Sequence, residues 1–197
     1  MSDTFLEQLR AIGALKSGHF LLASGRHSGE YVEKFDLLRN PRATEAACRG
    51  LIGALGAGTD VDLVAGPTTG GILLAFEIGR QLGLPAAYAE RTSEGSSERA
   101  FKRGTTIEPG TRVLLVDDIL TTGGSIRETL AALKRAEADV RAIAVLVDRS
   151  SGAVSFGPPL TPLASLSIET WAAGDCPLCR AGEPLTKPGS TAAPTVS

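Results

Sequence analysis

Two adjacent carboxylates, Asp117 and Asp118, directly follow the apolar run Val113-Leu114-Leu115-Val116, and a loop of hydroxyls and glycines comes next. Four consecutive apolar residues predict a strand buried on both faces. In an open α/β sheet, ligands gather outside the carboxyl ends of such strands, where the two acids fall. Ile119, Leu120, Thr121, Thr122, Gly123, Gly124 and Ser125 then lead without a spacer into a helical pattern. A helix starting there presents unpaired N–H groups and the positive end of its dipole, which favour an anion. Gly123 and Gly124 let the backbone approach a phosphate, and Thr121, Thr122 and Ser125 add hydroxyl donors. The combination suits a sugar phosphate, with the loop for the phosphate and the paired acids for sugar hydroxyls.

The bland alternative is a solvated turn followed by an ordinary helix cap. A nucleotide hydrolase also ends a strand on an Asp that holds magnesium. It needs a phosphate loop closing on Gly-Lys-Ser/Thr, which this chain lacks. A dinucleotide fingerprint is missing too, because Gly56 and Gly58 are followed by Val61 where the third glycine would stand.

The elements that must position these residues read from periodicity and breakers. Phe5, Leu6, Leu9 and Ile12 predict an opening helix that stops at Gly13. Residues 18–26 read as a strand entering a turn, and 31–38 as its return strand. Pro41 starts a helix that runs to Leu55. Apolar strands at 61–66, 85–89, 112–116 and 140–147 then alternate with helices at 72–82 and 124–136. That alternation predicts a parallel sheet with helices on both faces. Residues 163–168 read as one more strand. Residues 91–104 are polar, mixed in charge and without period, and read as a mobile loop. Residues 187–197 are small, polar and Pro-containing and read as a disordered tail.

Composition narrows the function class. The 197 residues include 43 % hydrophobic and 21 % charged side chains, and the net charge is −2. No global basic field draws in nucleic acid or a membrane surface. No apolar run approaches the ~20 residues of a membrane span, and the first residues do not form a secretory signal. Three cysteines make no disulfide framework. The expected location is the cytoplasm, with small-molecule partners rather than nucleic acid or membrane.

Residues 113–125 resemble the sugar-diphosphate signature of the type I phosphoribosyltransferases. Residues 14–28, Ala-Leu-Lys-Ser-Gly-His-Phe-Leu-Leu-Ala-Ser-Gly-Arg-His-Ser, resemble the opening of the orotate-specific branch, and 31–38 continue the likeness. Val145-Leu146-Val147-Asp148-Arg149 adds to it, and Cys176-Pro177-Leu178-Cys179 is similar to the ending of one bacterial branch. The resemblance implies the type I phosphoribosyltransferase fold, an α/β fold whose central parallel sheet has helices on both faces. It also implies a small hood made by about residues 1–40 and part of the C-terminal segment, all within a single domain over 1–186. The implied reaction moves the 5-phosphoribosyl group of phosphoribosyl diphosphate to orotate, in de novo pyrimidine synthesis. Asp117 and Asp118 would hold the ribose hydroxyls, and residues 119–125 would cradle the 5-phosphate side of the donor. Thr121 would also lie near orotate, Arg149 would meet the orotate carboxylate, and Tyr31 and Val32 would touch the base. Mg2+ would sit on the diphosphate. A loop reaching into a neighbouring subunit implies a homodimer.

The chain departs from that family where cations usually meet the diphosphate. Ala23 and Gly70 stand at two such positions, and residues 91–104 offer Arg91, Arg99, Lys102 and Arg103 in place of the usual lysine and histidine pattern. Arg91 and Lys102 are the candidate replacements. Two other functions fit the same signature: transfer to another base such as a purine, and a non-enzymatic donor-sensing regulator. His19 and His27 read as structural or surface histidines, and Cys176 and Cys179 as at most two of the four ligands a closed zinc site needs. A zinc site shared by two chains, a reducible thiol pair and a plain turn all remain open. Cys48, on a predicted helix, reads as buried.

Overall fold

In a computed structural model of the chain, residues 2–22, 24–56 and 60–188 are described. Helix α1 (Ser2–Ala11) leads to strands β1 (Leu15–Leu21) and β2 (His27–Val32) and helices α2 (Lys34–Leu38) and α3 (Pro41–Leu55). Then come β3 (Leu63–Pro67), α4 (Gly70–Leu82), β4 (Ala86–Arg91), β5 (Arg99–Phe101), β6 (Arg112–Leu120) and α5 (Gly124–Arg135). The chain closes with β7 (Asp139–Asp148), β8 (Leu160–Ser165), β9 (Thr170–Trp171), a 3-10 turn at Ala173–Asp175 and α6 (Pro177–Arg180).

Six strands form the main sheet in the order β5-β4-β3-β6-β7-β8. All neighbours are parallel except β4 and β5. The β3–α4–β4 unit winds to one side of β3, and β6 to β8 wind to the other. The reversal opens a crevice at the carboxyl ends of β3 and β6. β6 is the axis of the core, with Val113, Leu114, Leu115 and Val116 all fully buried. Its pleat divides them: Leu114 and Val116 pack with Leu74 and Ile78 of α4, while Val113 meets Leu133 and Leu115 meets Ile126 of α5. Helices therefore cover both faces, as a strand without a polar face requires.

Local signals explain the element ends. Asn40 Oδ1 accepts from the Ala43 amide at 3.2 Å and Pro41 holds the first helical position of α3. Gly83 ends α4 in the left-handed region (φ 70°). A second, small sheet has the order β1-β2-β9, so the C-terminal segment pairs with the N-terminal hairpin. Arg26 fastens the same pair by donating to Thr170 Oγ1 and Thr170 O at 2.8 and 2.6 Å.

Three sequence expectations are corrected. The return strand ends at Val32, and residues 34–38 are helical. Leu37 and Leu38 are both buried, which a half-buried strand with alternating sides does not allow, and Glu33 caps the turn by accepting from Phe35 N at 3.2 Å. Residues 91–104 are not a loop without structure. β4 and β5 pair across them, and the Thr92 amide donates to Glu98 O at 2.9 Å. Finally, the strand holding the acid pair runs on to Leu120, because Ile119 and Leu120 pair with Val147 and Asp148 of β7. The additional strand expected over 163–168 lies slightly earlier, as β8. Of the tail expected to be disordered, 189–197 lie outside the described residues, as does Ala23. Just before them, Thr186 exchanges backbone hydrogen bonds with His19 and Leu21 at 2.8 Å each.

Candidate active site

Asp117 and Asp118 are 5 % and 4 % exposed, so neither is a solvated turn residue. Being adjacent on one strand, they project to opposite faces. Asp117 turns toward α5, where Ser125 Oγ donates to its Oδ2 at 2.6 Å and the Asp118 amide donates to its Oδ1 at 2.8 Å. Burial, and then the charge of Asp118, push its carboxyl above the usual carboxylate range; the Ser125 and Asp118 hydrogen bonds and Lys34 pull the other way.

Asp118 turns toward α4. Its Oδ1 accepts from the Ile119 amide at 2.7 Å, and its Oδ2 lies 2.9 Å from Lys34 Nζ. Oδ2 is buried, and Lys34 is its ion-pair partner. The space it occupies exists because residue 70 is glycine. A Cβ there would stand 1.8 Å from Asp118 Oδ2 and 2.8 Å from its Cγ. Gly66 and Gly71 serve the same crevice differently: a Cβ on Gly66 would meet Gly71 O at 2.4 Å, so the end of β3 lies against the first turn of α4.

The residues expected to hold a phosphate lie between β6 and α5. Thr121 and Thr122 are exposed, and Gly123 adopts φ 78° as the cap of α5 with no side-chain hydrogen bond to the helix amides. A Cβ on Gly123 would meet Phe156, Val154 and Arg127 at 2.9 to 3.0 Å. No side chain caps the first α5 amides, whereas the Ser125 hydroxyl already serves Asp117. Ile119 and Leu120 remain in the strand, Leu120 in the α5-side core.

Arg149 follows β7, and its amide donates to Leu120 O at 2.8 Å, which sets it beside the end of β6. Its Nε is buried without a hydrogen-bond partner. Burial draws the guanidinium below its ordinary value, and Tyr31 of β2 offsets part of this. Arginine remains charged through any such change. Tyr31 in turn is raised, chiefly by burial and then by Glu33, against Lys34, Lys16 and Arg149.

The four cations of residues 91–104 are all engaged. Arg99 was expected in an exposed loop, but it is 4 % exposed and binds Glu128 Oε2 at 2.9 Å, Thr68 Oγ1 at 3.0 Å and Ala89 O at 3.1 Å. It braces the 68–69 turn before α4 against α5. Arg91 reaches Ser96 O and lies 3.8 Å from Glu128, Lys102 donates to Arg91 O at 2.7 Å, and Arg103 pairs with Glu90 at 2.9 Å. The cation nearest the acid pair is Lys34, which sequence reasoning did not single out, although it lay inside the segment that carried the resemblance. His19 and His27 are not surface residues; both are buried, and they meet Cys176 and Cys179. Cys48 is fully buried, as expected.

Residues 36–155 match the phosphoribosyl transferase domain family. The chain is 42 % identical over 188 residues to the orotate phosphoribosyltransferase of Pelotomaculum thermopropionicum, covering 95 % of this chain and 97 % of the relative. It is 43 % identical over 178 residues to that of Carboxydothermus hydrogenoformans, covering 90 % and 92 %. Among solved structures, the orotate phosphoribosyltransferase of Aeropyrum pernix superposes with a TM-score of 0.70 at 30 % identity, over 81 % of this chain and 92 % of that one.

Proposed function

Because the chain belongs to the phosphoribosyltransferase family, with the type I fold, we propose that it is the enzyme that transfers the 5-phosphoribosyl group from phosphoribosyl diphosphate to orotate. The products are orotidine 5′-monophosphate and diphosphate, a step of pyrimidine biosynthesis. The observation that carries this reading is the junction of β6 and β7. The Arg149 amide bonds to Leu120 O, which sets that residue's backbone beside the strand of the acid pair and supports a shared site for donor and base.

In the reaction the bond from ribose C1′ to the diphosphate oxygen breaks and its electron pair leaves with the diphosphate; N1 of orotate gives up its proton, which departs with the diphosphate, and supplies the pair for the new bond. No protein nucleophile is needed. The ribosyl centre gains positive charge in the transition state, and fixed negative groups beside it lower its energy. Asp117 and Asp118 are the groups so placed. They accept from the ribose hydroxyls, Asp118 through the Oδ2 that Lys34 now pairs with. The α5 amides and the hydroxyls of Thr121 and Thr122 hold the 5-phosphate, and Thr121 stands between it and the base. Arg149 pairs with the orotate carboxylate, for which a planar guanidinium is suited.

Mg2+ suits this donor set. A hard cation takes carboxylate oxygens together with substrate phosphates, and the Asp118 Oδ2 in its glycine-lined recess is such an oxygen. Asp118 and Asp117 would hold the ion with the donor, and bound there it supplies neutralisation of charge on the departing diphosphate.

The small sheet of β1, β2 and β9 serves as the hood that excludes water from the base side, within the single domain of residues 1–186. Arg91 and Lys102 belong to the donor side, and reaching the diphosphate requires the hairpin to exchange its own carbonyls for phosphate oxygens. The working form is a homodimer. Leu73 and Phe76, one turn apart on α4 and 42 % and 66 % exposed, support a covered face there. Among the described residues no helix is long and apolar enough to cross a membrane.

Orotate consumption with phosphoribosyl diphosphate and magnesium tests the assignment. Turnover with adenine or guanine in place of orotate would establish the purine reading. Donor binding without turnover on any base would establish the regulator.

A further inference from the structure

Four side chains with no part in the proposed transfer converge behind the small sheet. His19 comes from β1, His27 from β2, Cys176 precedes α6 and Cys179 lies within it. Their ligand atoms all lie within 4.8 Å of one another, and three of the four residues are buried. His19 Nε2 is 3.0 Å from His27 Nδ1, 3.4 Å from Cys176 Sγ and 3.6 Å from Cys179 Sγ; Cys179 Sγ is 3.2 Å from His27 Nδ1.

Hydrogen bonds alone do not satisfy this group. His19 Nδ1 lies 2.8 Å from Glu183 O. A carbonyl only accepts, so Nδ1 carries the proton and Nε2 presents a lone pair to the cluster. If His27 Nδ1 is protonated, three donors compete for that one lone pair. If it is not, two imidazole lone pairs abut at 3.0 Å. A cation among the four resolves both arrangements, since two imidazoles and two thiolates direct their electron pairs to one point. The bond from Nδ1 to a backbone carbonyl is also the outer contact that orients a ligating histidine.

We propose that His19, His27, Cys176 and Cys179 form a closed tetrahedral Cys2His2 site for zinc(II) in each chain. Ordinary zinc bond lengths at the tetrahedral angle put ligand nitrogens about 3.3 Å apart and nitrogen about 3.6 Å from sulfur. The contacts of 3.0 Å, and of 3.2 to 3.6 Å, lie within a few tenths of an ångström of those values. Two soft thiolates with two imidazoles and no water position select zinc for a structural role. The ion clamps both strands of the N-terminal hairpin to the C-terminal segment, which holds β9 on β2 and carries the Glu183 carbonyl onto His19. It fixes the sheet that bears Tyr31 without entering the reaction.

Metal analysis of the full chain, purified without chelator after growth with zinc, should find about one zinc per chain. The chelated protein should take up cobalt(II) with the intense visible absorption of a tetrahedral thiolate site. Stripping zinc should lower Tm by more than about 5 °C, with recovery on zinc addition. These readouts need no variant and no catalytic activity. Cys179→Ser and His27→Gln should each weaken zinc binding at least about ten-fold. A Cys176–Cys179 disulfide in chain isolated under reducing conditions would overturn the proposal. So would less than about a tenth of a zinc per chain together with no cobalt spectrum.

Discussion

Asp117→Asn should make the protein more stable and catalytically inert. The carboxyl is 5 % exposed, and it is pushed up to about 6 from 3.8 by burial and by Asp118. A folded value above the unfolded one means that the folded chain holds its proton longer. The favourable contribution is complete below pH ~4 and is lost as pH rises to about 6, where the folded group ionises. At neutral pH the wild-type chain therefore carries a cost that asparagine avoids. From 3.8 to about 6, at about 1.36 kcal/mol per pH unit, that cost is roughly 3 kcal/mol. Asparagine keeps the shape, and Ser125 Oγ, 2.6 Å from the carboxylate, can accept from its amide or donate to its oxygen. It gives up hydrogen bonds to a charged acceptor, which are stronger than neutral ones. The raised value already includes those hydrogen bonds to the charged form, so the gain is up to about 3 kcal/mol above pH ~7, shrinking toward zero near pH 4. Equilibrium urea unfolding of both proteins across this range measures it. A variant less stable than wild type by the same margin at every pH would refute the reasoning, because the acid would then be held by its hydrogen bonds and not opposed by its surroundings.

Arg149→Ala should raise the orotate KM ten- to a hundred-fold, equivalent to a lost charge-assisted contact of ~1.5–3 kcal/mol, while the donor KM holds; steady-state kinetics with each substrate varied would show it. Gly70→Ala places a Cβ 1.8 Å from Asp118 Oδ2 and should reduce donor affinity by calorimetry at least as severely as loss of the acid itself. Arg99→Ala removes a buried guanidinium that holds Glu128, Thr68 and Ala89, and should cost ~3 kcal/mol in urea unfolding. Arg103→Ala, on an exposed pair with Glu90, should cost less than ~1 kcal/mol.

The sheet and the donor loop were legible because their signals are local. Four apolar residues before Asp117 give a doubly buried strand, and glycines at 123 and 124 before a helical pattern mark the turn into α5. What escaped sequence reading depends on distant partners. Gly70 looked like a family lysine lost, yet its hydrogen side chain is what admits Asp118. Lys34 gains meaning only when the short α2 sets it 2.9 Å from that acid. The polarity of residues 91–104 suggested mobility, but Arg99 is buried because Glu128 of α5 and the carbonyl of Ala89 supply its partners. The Cys-x-x-Cys pair left several readings open, because the two histidines that meet it lie about 150 residues upstream in the first hairpin.

The position of the acids within β6, not beyond it, explains how one dipeptide serves two layers. Because a strand alternates sides, Asp117 is given to α5 and the turn before it, and Asp118 to α4, Lys34 and the β3 crevice. Parallel pairing of Ile119 and Leu120 with β7 then fixes the backbone through both residues and brings Arg149 to the same edge. A pair on a flexible loop would choose its own directions at an entropic cost on every binding event. Here the pleat sets both directions before the donor arrives. The cost is two carboxylates buried side by side, and the raised Asp117 carboxyl is its signature. A donor that brings ribose hydroxyls and a divalent cation relieves that repulsion, so donor binding should strengthen as pH rises until Asp117 is fully ionised. Calorimetric donor affinity that does not vary between pH ~5 and pH ~7, after correction for titration of the donor phosphates, would show that the acid pair does not contact the donor.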